Sequence, residues 1–130
     1  MPWVEVFAVF IVCHLVGDFG FQTEWQARNK FGGLGGNRTA RRALLTHVGT
    51  YLLAFVPALF WLADESGALL AAVASILVVG HVVEDDGRLL RWYIRQVKRT
   101  DPVRNPVVTV AVDQMFHVLT LFGLALLAVA

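Results

Sequence analysis

One cysteine, Cys13, stands in 130 residues, so no intrachain disulfide is available and the thiol reads as a small core residue. Charge is scarce: 16% of residues are charged against 57% hydrophobic, which excludes an ordinary soluble composition. The start, Met1-Pro2-Trp3-Val4-Glu5, has no basic residue, and His14 and Asp18 interrupt the apolar run behind it, so this run is expected to be a retained span rather than a cleaved signal. The glycine run Gly32-Gly33-Leu34-Gly35-Gly36 has no Gly-Lys-Ser/Thr continuation, which excludes a phosphate loop.

What remains is apolar and long. Residues 43–63 carry no Asp, Glu, Lys or Arg, nor do residues 66–83. Residues 105–130 carry only Asp113, and the first span runs from about residue 3 to 23 with Glu5 and Asp18 inside it. Such lengths suit bilayer-crossing helices of about 20 residues. The expectation is an all-α integral membrane bundle of four transmembrane helices forming a single domain, 1–130. A net charge of +1 hides an asymmetry, because all eleven Lys and Arg fall within residues 28–42 and 88–104. The loop between spans two and three holds Asp64 and Glu65 and no base. The positive-inside rule then places both basic loops in the cytoplasm and both termini outside, in a multi-pass protein of the bacterial inner membrane. The bases suit anionic headgroups, so membrane lipids are the expected partners and nucleic acid is not; a homo-oligomer is compatible with the pattern.

Local signals refine this layout. The glycine run is expected to be flexible. Asn37 or Thr39 is placed to cap the second helix, Pro57 lies inside it, and Pro106 suits the first turn of the fourth. The third helix is expected to continue past the bilayer, where Leu89, Leu90, Tyr93, Ile94 and Val97 recur at helical spacing with Arg91, Arg95 and Lys98 between them, a basic amphipathic segment suited to the membrane surface and ended by Asp101-Pro102 and Asn105-Pro106. The repeat of His-x-x-x-Asp in spans one and three suggests two similar helical hairpins.

The chemistry is concentrated in ionisable residues within the apolar segments. His14-x-x-x-Asp18, His81-x-x-x-Asp85 and Asp113-x-x-x-His117 each share a helix face, and His47 is followed by Tyr51 at the same spacing. A lone membrane histidine is commonly a helix–helix hydrogen-bond partner. Seven such residues on all four spans are another matter. With a rise of about 1.5 Å per residue they lie roughly 5 to 16 Å below one surface, so antiparallel helices can bring them together. Membrane-embedded ionisable groups mark functional sites, and histidine with carboxylate is how bundles build metal centres. The expected ligands are His14, Asp18, His47, His81, Asp85, Asp113 and His117. Their donors suit a divalent transition metal, zinc first and manganese or iron next, as one ion or two because seven exceed a tetrahedral set. Asp18 and Asp113 are the expected proton acceptors, and Gln22, Tyr51, Arg88 and Gln114 the expected substrate contacts. Glu24 and Glu84 are weaker candidates, Glu84 being read as off the His81 face.

Taken together, His14-Leu15-x-Gly17-Asp18-Phe19-x-x-Gln22, His47, His81-x-x-x-Asp85-x-x-Arg88 and Asp113-Gln114-x-x-His117 resemble a family of small bacterial and phage membrane proteins catalogued as domain of unknown function 3307. The resemblance covers nearly the whole chain and implies a membrane protein with no stated activity. Where members often carry an aromatic-aliphatic-Lys run, this chain reads Asp86-Gly87-Arg88. A looser similarity, by analogy only, is to membrane-bound metal-dependent hydrolases.

Three functions compete. A metal-dependent hydrolase acting on an amphiphile at the cytoplasmic leaflet fits ligands confined to one half of the bundle. A divalent metal or proton carrier would need polar groups in the other half, where only Glu5, Asp64, Glu65 and Ser75 occur. Electron transfer through haem b would want histidines at two depths and fewer carboxylates.

Overall fold

The computed structural model describes residues 2–63 and 67–129; Asp64, Glu65 and Ser66 of the acidic loop lie outside the described residues. All regular structure among the described residues is helical. Helix α1 (Trp3–Leu15) passes into a π-helical turn (Val16–Phe21), then come α2 (Glu24–Asn29), α3 (Arg38–Trp61), α4 (Gly67–Asp85), α5 (Arg88–Gln96) and α6 (Pro106–Leu127). Four segments are long and apolar enough to cross a membrane: Trp3–Phe21, Arg38–Trp61, Gly67–Asp85 and Pro106–Leu127. They are the four spans expected above.

The spans form a ring in which α1 touches α3 and α6, and α4 touches α3 and α6. Their buried faces split the bundle into two halves. Away from the basic loops the core is apolar: Val6, Phe10, Phe55, Ala58, Leu62, Val73, Leu77, Leu121 and Leu124 pack together, with Cys13 among them. Toward the basic loops the buried side chains include His14, Asp18, His47, His81, Glu84, Asp85 and His117. Outward the pattern inverts, with Phe60 76% and Val107 81% exposed. Large apolar surface outside and ionisable groups inside is what a lipid solvent requires.

Caps and turns hold the basic end. Asn37 Oδ1 accepts from the Thr39 and Ala40 amides at 2.9 and 3.1 Å, starting α3. Thr23 and Gln26 form a reciprocal capping box that starts α2. Pro106 occupies the first turn of α6, where its missing N–H costs nothing. Pro57 lies inside α3.

Two local readings are corrected. The glycine run is a docked turn, not a flexible loop. The amides of Gly33 and Gly35 donate to the carbonyls of Lys30 and Gly32, the Gly32 amide donates to the Asp86 carbonyl, and the Leu34 amide donates to Asp86 Oδ1 at 2.8 Å. The amphipathic segment is a separate helix rather than an extension of α4. Gly87, at φ +73°, breaks the chain between them, and Leu90 and Ile94 fold α5 back onto Val112 of α6.

Candidate metal centre

Asp18 enters the bundle from a π-helical turn that continues α1. In Val16–Phe21 the turns widen to i→i+5 in a stretch poor in helix formers, with Gly17 and Gly20 flanking Asp18 and Phe19. Gly17 and Asp18 face inward while Phe19 and Phe21 face out. An alanine Cβ at position 17 would lie 2.6 Å from the Tyr51 ring, so only glycine lets Tyr51 approach this far. Tyr51 in turn stacks on His81, with centroids 3.5 Å apart and planes 14° from parallel.

Four donor atoms from three spans converge. His47 Nε2 and His81 Nε2 are 3.1 Å apart. Asp18 Oδ1 lies 3.3 Å from the first and 3.5 Å from the second. Asp85 Oδ2 lies 2.9 and 3.2 Å from the same two nitrogens. Metal bonds of 2.0–2.1 Å in a tetrahedron put neighbouring donors about 3.3 Å apart, and these five separations, 2.9–3.5 Å, lie near that spacing. Asp18 Oδ1 and Asp85 Oδ2 accept no well-aligned hydrogen bond among the described residues, although the His47 and His81 Nε2 atoms stand 2.9–3.5 Å away, at ion-pair distance when either ring is protonated. Buried carboxylate oxygens are rarely left so.

The charge balance points the same way. Asp18, Glu84, Asp85 and Asp86 are buried, Asp86 pairs with Arg88 at the rim, and Lys30 is the one buried lysine or arginine among the described residues. Lys30 Nζ holds Asp85 Oδ1 at 2.8 Å, which leaves Asp18 facing only His14, His47 and His81, and Glu84 facing only His117, as groups that can carry positive charge. Burying unpaired charge costs several kcal/mol per ion. A divalent ion among these groups would balance the two charges, as would protons on the adjacent histidines.

His117 stands beside this cluster. Its Nδ1 donates to the Asp113 carbonyl at 2.9 Å, which fixes the ring. Its Nε2 has no hydrogen-bond partner among the described residues and lies 3.5 Å from Glu84 Oε2 and 3.5 Å from Asp85 Oδ1. Asp18 with His47 and His81, and His81 with Glu84 and His117, are two groups whose atoms could hold a metal ion.

The remaining expected residues are distributed around these groups. His14 stands one step back: Nδ1 meets the Tyr51 hydroxyl at 3.1 Å, Nε2 meets Gln114 Oε1 at 3.0 Å, and Asp18 Oδ2 is 3.7 Å away. Tyr51 and Gln114 therefore position His14. Asp113 contributes its carbonyl to His117, and its half-buried carboxyl lies within charge range of His117, Asp85, Lys30 and Asp18. Gln22 Nε2 donates to the Asp18 carbonyl at 3.0 Å, bracing the π turn. Arg88 is set apart, its side chain 59% exposed and its Nε 3.2 Å from Asp86 Oδ2 at the rim. Glu24 is also outside, paired with Arg28 on the surface.

Two members were not expected at full weight. Glu84 is buried, accepts from the Thr120 hydroxyl, and faces His117. Its position three residues after His81 was the available signal, since i,i+3 neighbours share a face. Lys30 carried no signal, being one base among several in a loop that only tertiary docking turns inward.

Over residues 6–129 the chain matches the family described as Protein of unknown function (DUF3307). It belongs to that family. No curated protein and no solved structure matches it.

Proposed function

We propose that the chain is a multi-pass inner-membrane protein that binds a divalent transition ion, zinc by its donors, between Asp18, His47, His81 and Asp85. We further propose that it hydrolyses an amphiphilic substrate at the leaflet facing the basic loops. The carrying observation is the pair of buried carboxylate oxygens, Asp18 Oδ1 and Asp85 Oδ2, without well-aligned hydrogen bonds around two facing imidazole nitrogens. A bound ion at such a site acidifies water and polarises an ester or phosphoester oxygen. Asp113, near the donors but outside the cage, accepts the proton. Lys30 holds Asp85 in place, and Tyr51 holds both His14 and His81. A shallow, exposed apolar patch on α6 at Pro106, Val107, Val110 and Ala111, next to Gln114, suits an acyl chain lying against the helix. Arg88 at the rim suits an anionic headgroup.

The apolar core filling the other half favours hydrolysis over carriage, since an ion leaving the cage would meet Phe10, Phe55, Leu77 and Leu121. His47 and His81 face each other too closely to bind opposite faces of a haem. The test begins with elemental analysis of protein purified without added metal. It should carry at least about one transition ion per chain, as for a filled tetrahedral site. His47→Ala and His81→Ala should lose that ion. A chelator should abolish hydrolysis of amphiphilic esters or phosphoesters, and Asp113→Asn should keep the ion while slowing turnover by about 10²-fold or more. Divalent-ion flux through reconstituted vesicles that Asp18→Asn eliminates would instead make the protein a carrier.

A further inference from the structure

We infer that the centre holds two ions, the second between Glu84, His117 and the other oxygen of Asp85. The inference rests on the metal-binding reading above and extends it. A carbonyl oxygen can only accept, so the bond to Asp113 puts the His117 proton on Nδ1 and leaves a lone pair on Nε2 in the neutral ring. That lone pair, on a side chain 1% exposed, has carboxylate oxygens beside it and no hydrogen-bond donor to it among the described residues. Glu84 Oε2 and Asp85 Oδ1 each lie 3.5 Å from it. An ion about 2 Å from all three atoms resolves the repulsion. Glu84 is already oriented for this, because its other oxygen is held by the Thr120 hydroxyl. Asp85 then bridges, with Oδ2 toward His47 and His81 and Oδ1 toward His117. Carboxylate-bridged ions about 3.5–4 Å apart clamp the attacking and leaving oxygens of a phosphoester.

Two features set the behaviour of the second site. Lys30 already holds Asp85 Oδ1, so this site is the weaker and fills second. Four carboxylates, counting Asp113, with Lys30 and two divalent ions leave one surplus positive charge, which an anionic substrate such as a phosphoester neutralises.

The experiment is a Zn²⁺ titration of the metal-stripped full chain in detergent, followed by calorimetry. About two equivalents of unequal affinity are expected, as in a two-metal centre. Glu84→Gln, which keeps size and the Thr120 contact, should remove the weaker equivalent and leave the tighter one unchanged, and His117→Ala should do the same. His47→Ala should remove the tighter. Retention of the tighter equivalent shows that each variant is folded. Inorganic phosphate should bind the two-ion protein and not the one-ion Glu84→Gln protein. A single equivalent in the unaltered chain at saturation would overturn the second site, with a proton then satisfying His117, and leave the first intact. Two equivalents surviving both variants would also overturn it. Equal phosphate affinity in both proteins would overturn the surplus-charge assignment. No binding at any concentration would remove both sites together.

Discussion

Glycine at position 17 shows how a residue outside the donor set controls it. Its missing Cβ admits the Tyr51 ring, which stacks on His81 and bonds His14. Gly17→Ala should displace that ring, at about 1–3 kcal/mol for overpacking. The expected outcome is a lower thermal midpoint in detergent together with weaker zinc binding. Gly49→Ala is the contrast, since a Cβ there meets nothing within 4 Å. It should stay within about 1 kcal/mol of the unaltered protein. A normal zinc affinity in Gly17→Ala would remove Tyr51 from its supporting role. The importance of Gly17 was half legible: Gly17-Asp18 stood in the motif, but the partner that needs the space is 34 positions away.

At the scale of elements, the basic end is held by an exchange between two turns. Asp86, 2% exposed, takes the Leu34 amide on its side chain and the Gly32 amide on its carbonyl. This docking carries Lys30 into the centre. Gly87 permits it twice over, through φ +73° and because a Cβ would lie 2.3 Å from Phe31 Cδ1. Gly87→Ala should release the first basic loop, with the left-handed backbone alone costing about 1–2 kcal/mol. Trypsin should then cut faster within residues 28–42. Gly36→Ala, where a Cβ meets nothing within 4 Å, should cut at the unaltered rate. Unchanged cleavage in both would mean that docking does not depend on this turn.

For the whole molecule, orientation is a proposal drawn from charge. Eleven of eleven bases lie within residues 28–42 and 88–104, at the end bearing the centre, which predicts that end in the cytoplasm. Suitable reporter positions follow from the packing. Gly33 is buried against Leu44, where a cysteine would clash, whereas a Cβ at Gly36 or Gly67 meets nothing within 4 Å. With Cys13 replaced by alanine, an impermeant maleimide on intact cells should label a cysteine at 67 and leave one at 36 untouched. The opposite result would invert the topology.

Spans, caps and the level of the buried histidines were determined by the sequence alone, because hydropathy, helical period and rise are local properties. His14, Asp18, His47, His81, Asp85, Asp113 and His117 could be put at one end of the bundle by counting residues. Counting could not assign their roles. Which nitrogen of His14 meets Tyr51, why Asp113 offers its carbonyl, and how Lys30 comes to sit on Asp85 depend on contacts between residues distant in the chain. The π turn around Asp18 is likewise a local departure that a regular 3.6-residue period does not signal. Position along a helix is a one-dimensional quantity, but coordination depends on which atoms face one another, and only the packing of all four spans decides that.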